Sequence, residues 1–303
     1  MPINDLSRVP LKWPNRKFSQ THYDSGLDWH FQISRHENPS AKVIVLIHGT
    51  GSSAHSWEKI LPVLARDYTV IAPDLPGHGF TVGAKKSGLH IDQIAISLYS
   101  LFKSINLPQI DAMIGHSAGA NCALALSLIY KEPPAVIIGL NPSFVAPPSI
   151  YNFFVGPLIN PLVTSGFVAS FLANTIPMTG MIDKLLDSTN SILTTKQREP
   201  YHLLFKQQSH IYGSMNFMAA SNIPELLQKS AKLQTKCTFL VAAQDPWVPE
   251  SSLLPVIHQC YPNAVISIEE GGHLFHEENP SRALKVIQEA LQAFNPNPSP
   301  VNA

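Results

Sequence analysis

IDAMIGHSAGANCALALSLIY, residues 110–130, is the stretch on which the reading of this chain turns. Residues 110–114 are an apolar run of strand length, and residues 118–130 read as a helix. Between them lies Gly115-His116-Ser117-Ala118-Gly119, a G-x-S-x-G pentapeptide with a strand before it and a helix after it. A turn that sharp forces Ser117 into a strained backbone, and the residues two positions away must lack a Cβ to avoid collision. In return, the hydroxyl is presented at the N-terminus of a helix.

Outward from this turn the chain alternates. Residues 27–34 read as a strand by their period of two. Residues 42–47, KVIVLI, are short, apolar and rich in β-branched side chains, as in a strand buried on both faces. A helical stretch at 56–66 and a strand at 69–73 follow. Residues 90–105 carry Ile91, Ile94, Ala95, Leu98 and Leu101 at helical spacing. Toward the C-terminus come strands at 135–140, 237–242 and 264–268, with helices at 251–259 and 280–294. This β-α-β-α order predicts an α/β fold, a mostly parallel sheet flanked by helices on both faces. The first 25 residues, broken by Pro2, Pro10 and Pro14, read as an irregular lead-in, and residues 295–303 as a disordered tail. No internal repeat is visible.

The chain has 303 residues, 45% of them apolar, enough for a large core. Its 21 basic and 21 acidic residues cancel, which argues against a nucleic-acid binder and gives no electrostatic reason to sit on an anionic membrane. Cys122, Cys237 and Cys260 form neither a disulfide framework nor a C-x-x-C pair, so a reducing compartment is expected. Residues 1–20 hold no apolar signal core, which points to the cytoplasm.

One region departs from the pattern. No Asp, Glu, Lys or Arg occurs from Pro133 to Ile182, a span of 50 residues. Prolines interrupt it too often for a spanning helix, which needs about 20 apolar residues. The expected organisation is therefore a core of residues 1–144 and 234–303, with an apolar helical cap at 145–233.

A serine hydroxyl is a poor nucleophile until a base takes its proton. His273, in Gly271-Gly272-His273-Leu274, falls after the last strand and before the last helix, where this topology places the base. The base needs an acid to fix its tautomer, and Asp245, just past the strand ending at Ala242, is the candidate. The end of the preceding strand holds Asn141, which carries no charge. Two amide donors must meet the developing oxyanion. The expected pair is Ala118, directly after the nucleophile, and Thr50, in the loop His48-Gly49-Thr50-Gly51. Losing one such donor typically costs about 3–4 kcal/mol of transition-state stabilisation. Asp74-Leu75-Pro76-Gly77-His78-Gly79 reads as a structural turn. The histidines and cysteines lack metal-site spacing, so neither metal nor cofactor is expected.

The motifs HGTG, DLPGHG, GHSAG and GGHLFHEENP together resemble the α/β-hydrolase superfamily over nearly the whole chain. More narrowly, Trp13-Pro14-Asn15-Arg16, Gly26-Leu27-Asp28-Trp29-His30 and Ala72-Pro73-Asp74 through Phe80-Thr81 resemble the magnesium-chelatase accessory α/β-hydrolases of bacteriochlorophyll biosynthesis. That resemblance implies an α/β-hydrolase fold and work on tetrapyrrole intermediates near magnesium insertion, with magnesium-chelatase subunits as candidate partners. On this reading the cap aromatics Phe144, Tyr151, Phe153 and Phe154 enclose a large flat apolar substrate. Two activities stay open: a serine hydrolase acting on an ester or acyl bond, and a non-catalytic factor that binds and delivers a porphyrin. A third reading is peripheral contact with a pigment-making membrane.

Overall fold

The computed structural model describes residues 5–146, 169–170, 173, 180–219 and 222–294. The expected tail at 295–303 lies outside them, as do Tyr151, Phe153 and Phe154. Eight strands form one sheet: β1 (Ser19–Asp24), β2 (Leu27–Ser34), β3 (Val43–Ile47), β4 (Thr69–Pro73), β5 (Ala112–His116), β6 (Val136–Leu140), β7 (Lys236–Ala242) and β8 (Val265–Glu269). Their order is β1-β2-β4-β3-β5-β6-β7-β8. β2 runs antiparallel to β1 and β4, and every pairing from β4 to β8 is parallel.

Alternation within the strands divides the core. Val43, Val45 and Ile47 of β3, Met113 of β5 and Phe239 and Val241 of β7 face one side. Ile44, Leu46, Ile114, Leu240 and Ala242 face the other. Helix α2 (Ile91–Ser104) covers the first face with Ile91, Ile94, Ala95, Leu98, Leu101 and Phe102. The closing helix (Pro280–Phe294) covers the second with Ala283, Val286, Ile287 and Leu291. Each of these Val, Leu, Ile and Phe side chains, fully buried, contributes about 1.5–3 kcal/mol. This two-sided burial explains why the central strands read as unbroken apolar runs.

Two local expectations are corrected. The lead-in is not irregular throughout, because β1 pairs with β2 through a two-residue turn at Ser25-Gly26. Both turn residues have positive φ, 51° and 84°, the geometry of a type I′ hairpin. The helix expected at 56–66 is a 3₁₀ turn (Ala54–Trp57) and one short helix, α1 (Leu61–Leu64). Pro62 has no N–H and cannot continue a helix arriving from Trp57.

Between β6 and β7 the described helices are α4 (Met181–Asp187), α5 (Thr195–Leu204), α6 (Gln208–Ala219) and α7 (Ile223–Ser230). Ile182, Leu186, Leu193, Tyr201, Ile211 and Met215 form a small apolar cluster that also takes in Leu274, next to the candidate base. α7 behaves differently. Its Leu226 and Leu227 join the main core beside α3 (Ala118–Ser127), as does Phe217 near the end of α6. Among the described residues, no helix is long and apolar enough to cross a membrane.

Candidate active site

Parallel strands bring the loops after β3, β5, β7 and β8 to one edge of the sheet, where open α/β sheets hold their ligands. Ser117 is the residue between β5 and α3. Its φ of 51° and ψ of −120° lie outside the regions an L-residue adopts without strain. Neighbouring glycines make that turn possible. A Cβ on Gly119 would sit 2.1 Å from the Ile47 carbonyl oxygen, and one on Gly115 would sit 2.4 Å from the Ala120 nitrogen. The Ser117 N–H donates to the Leu140 carbonyl at 2.9 Å, which ties the elbow to β6.

The structure brings together the three distant side chains named from the sequence. His273 Nε2 lies 3.0 Å from Ser117 Oγ, and His273 Nδ1 lies 2.7 Å from Asp245 Oδ2. Asp245 Oδ1 accepts from the amides of Trp247 and Val248, at 2.8 and 3.0 Å, which fixes its rotamer. With the Nδ1 proton held by the carboxylate, Nε2 is left to accept from the serine. The Trp247 ring stacks on the His273 imidazole, 5.6 Å between centroids and 23° between planes.

Two further residues, missed in the sequence, steady this base. The His273 carbonyl accepts from His116 Nε2 and from Asn141 Nδ2, each at 2.9 Å. Asn141 sits at the end of β6 with a left-handed φ of 45°, a conformation asparagine tolerates, and its Oδ1 accepts from the Ala242 amide of β7 at 2.8 Å. Its amide thus brackets two loops where an acid would have bonded one. Burial pushes His116 well below the ordinary histidine value, so it is neutral. Its Nε2 carries the proton that the His273 carbonyl receives.

The loop opposite Ser117 is held just as closely. A Cβ on Gly49 would lie 3.1 Å from Ser117 Cβ, so the chain leading to Thr50 passes directly over the nucleophile. His48 Nδ1 donates to the Gly49 carbonyl at 2.7 Å, and its Nε2 accepts from the Leu75 amide at 2.9 Å. His210 of α6 accepts from the Gly79 amide at 3.0 Å and donates to the Gly51 carbonyl at 3.2 Å. Burial lowers His210 to about 4. Ala118 is the first residue of α3, so its amide is among the helix donors without an intrahelical acceptor.

Glu277, on the short helix following His273, is buried and accepts from the Tyr201 hydroxyl of α5 at 2.5 Å. Burial raises this carboxyl to about 8, against the lowering effect of the Tyr201 hydrogen bond. It is therefore a neutral acid near pH 7. Ser52 Oγ lies 3.4 Å from the same Tyr201 hydroxyl.

Phe144 is corrected as a substrate contact. It is 5% exposed and packs edge-on against Phe239 at 5.3 Å and beside Tyr261 at 5.9 Å, within the core. Among the described residues, no group of three or more His, Cys, Asp or Glu side chains could hold a metal ion.

Comparison with known proteins agrees with this fold. The chain is 28% identical over 280 residues to the magnesium-chelatase 30 kDa subunit of Rhodobacter capsulatus, covering 90% of this chain and 94% of that protein. It is 24% identical over 267 residues to the uncharacterized hydrolase YugF of Bacillus subtilis (strain 168), covering 86% and 92%. The enol-lactonase from Burkholderia xenovorans LB400 superposes with a TM-score of 0.70 over 90% of this chain and 99% of its own, at 16% identity, a likeness of fold alone. Residues 44–285 match the model of the alpha/beta hydrolase family, and the chain belongs to that family.

Proposed function

We propose that this hydrolase-family chain is a serine hydrolase that cleaves an ester or related acyl bond of an apolar substrate. Ser117 Oγ attacks the carbonyl carbon as its proton passes to His273 Nε2. Asp245 stabilises the imidazolium that forms. The amides of Ala118 and Thr50 receive the charge that develops on the carbonyl oxygen. His273 then gives its proton to the leaving alcohol or amine. A water, deprotonated by the same imidazole, releases the acyl group from Ser117. The observation that carries this reading is the unbroken relay of 3.0 and 2.7 Å ending on a strained serine. A fluorophosphonate probe tests it: wild type is labelled and Ser117→Ala is not. A folded wild type left unlabelled would end the proposal.

We further propose a place near magnesium insertion into a tetrapyrrole, supported by likeness to a magnesium-chelatase subunit over nearly that protein's full length. Magnesium-chelatase subunits are the proposed partners, and the β6–β7 insertion, acting as a cap, covers the substrate. The same likeness favours a second reading, in which the protein binds and delivers a porphyrin while the relay stays idle. Complementation of a deletion strain separates the two. Failure of Ser117→Ala to restore pigment supports catalysis, and full restoration supports delivery.

A further inference from the structure

Four consecutive residues after α4 each reach a loop that carries the base or the acid. The Ser188 carbonyl accepts from Trp247 Nε1 at 2.9 Å. The Thr189 carbonyl accepts from the His273 amide at 2.9 Å. Asn190 Nδ2 donates to the Gln244 carbonyl at 3.0 Å. Ser191 Oγ accepts from the Leu274 amide at 2.8 Å. Contact is close enough to dictate sequence on the opposite side: a Cβ on Gly272 would lie 2.3 Å from the Asn190 carbonyl oxygen and 2.5 Å from Ser191 Oγ. The segment is itself pinned, because the hydroxyls of Ser188 and Thr189 donate to the Leu185 and Leu186 carbonyls at 2.6 Å.

We infer that Ser188-Thr189-Asn190-Ser191 is a clamp through which the β6–β7 insertion positions His273 against both Ser117 and Asp245. Two sides of the base's backbone are then accounted for. His116 and Asn141 of the core hold its carbonyl, and the clamp holds its amide and that of Leu274. Trp247, stacked on the imidazole and bonded to Ser188, ties the acid loop to the same segment. A displacement of about 1 Å in a reacting group can slow a reaction about 100-fold, so the insertion governs the base without touching substrate. These are positioning residues. The inference rests on the serine-hydrolase reading.

The test is the second-order rate of fluorophosphonate labelling, with thermal midpoints measured alongside. Ser191→Ala removes the acceptor for the Leu274 amide. Trp247→Phe removes the donor to Ser188 while keeping a ring over His273, and it serves if Ser191→Ala does not fold. Each is expected to label about tenfold more slowly than wild type. In an Asp245→Asn background, where the base already holds the wrong tautomer and cannot take the serine proton, the same substitutions should change the rate less than about twofold, because residues acting through one group are not additive. Wild-type labelling rates in both variants would overturn the clamp. An equal tenfold loss in both backgrounds would also overturn it, since that marks a general structural effect. A folded wild type that resists the probe removes the hydrolase reading and the clamp with it, a result distinct from either of these.

Discussion

The described residues hold two Ser–His–Asp relays with the same spacing. In one, His30 Nδ1 lies 2.7 Å from Asp74 Oδ2 and His30 Nε2 lies 3.0 Å from Ser19 Oγ. In the other, His273 makes the same pair of contacts, at 2.7 and 3.0 Å, to Asp245 and Ser117. The difference lies around them. Ser19 is 4% exposed, starts an ordinary edge strand and has an extended backbone, φ −67°. Ser117 is strained at φ 51°, heads a helix and faces the Gly49 loop. Asp74 is further committed, accepting from the Ala54 and Phe80 amides at 2.7 and 2.8 Å. A carboxylate–imidazole–hydroxyl line is thus also a way to knit β1, β2 and the β4 loop together. Chemistry requires in addition a strained serine and amide donors beside it.

Substitution should separate the two relays. Asp245→Asn should slow fluorophosphonate labelling about 10⁴-fold, as loss of the correct tautomer does elsewhere, with little change in the unfolding midpoint. Asp74→Ala should show the reverse. It strands three buried donors, each costing about 1–3 kcal/mol, so urea denaturation should reveal a large loss of stability. Equal effects of the two on labelling would erase the distinction.

Acid sharpens the contrast. Burial holds His48, His78 and His116 below the usual histidine value, His55 and His276 at about 3 and His210 at about 4. The unfolded chain takes up these protons below about pH 6.5 and the folded chain does not. Stability should therefore fall as pH drops through 6.5 toward 5. Burial alone would raise Asp74, but His30, by charge and hydrogen bond, holds it at about 2. Its own contribution is thus lost only between about 3.8 and 2. Urea midpoints from pH 7 to pH 5 check this, and a flat profile would contradict it. The smallest effect belongs to Ser19→Ala, which should cost about 1 kcal/mol and leave labelling at the wild-type rate.

Strands and the elbow were legible because they depend on local patterns. Apolar runs placed β3, β4, β6 and β7 to within a residue or so, and Gly115 and Gly119 flagged a turn that no other residue fits. The hairpin at Ser25-Gly26 was also written in the sequence, as a two-residue turn of a kind that needs positive φ, but edge strand β1 has no apolar alternation to announce it. Asn141, His116 and Ser188–Ser191 were not legible as supports of His273. Their contacts are hydrogen bonds across 54 to 157 residues of chain, and periodicity carries no information about such partners. Phe144 illustrates the opposite failure: an aromatic within an uncharged run fits a ligand wall and a core equally well until its neighbours are known.

Glu277 imposes a ceiling in alkali. The folded chain keeps this proton up to about pH 8, whereas a carboxyl in an unfolded chain has released it by about 4.5. Folding therefore loses ground steadily as pH climbs between those values, the reverse of the histidine trend. Above pH 8 a bare anion would sit at the seam where α5 rests on the catalytic edge, with the Tyr201 hydroxyl to receive it. Between about pH 4.5 and 8 the imidazoles and this one carboxyl therefore pull stability in opposite directions.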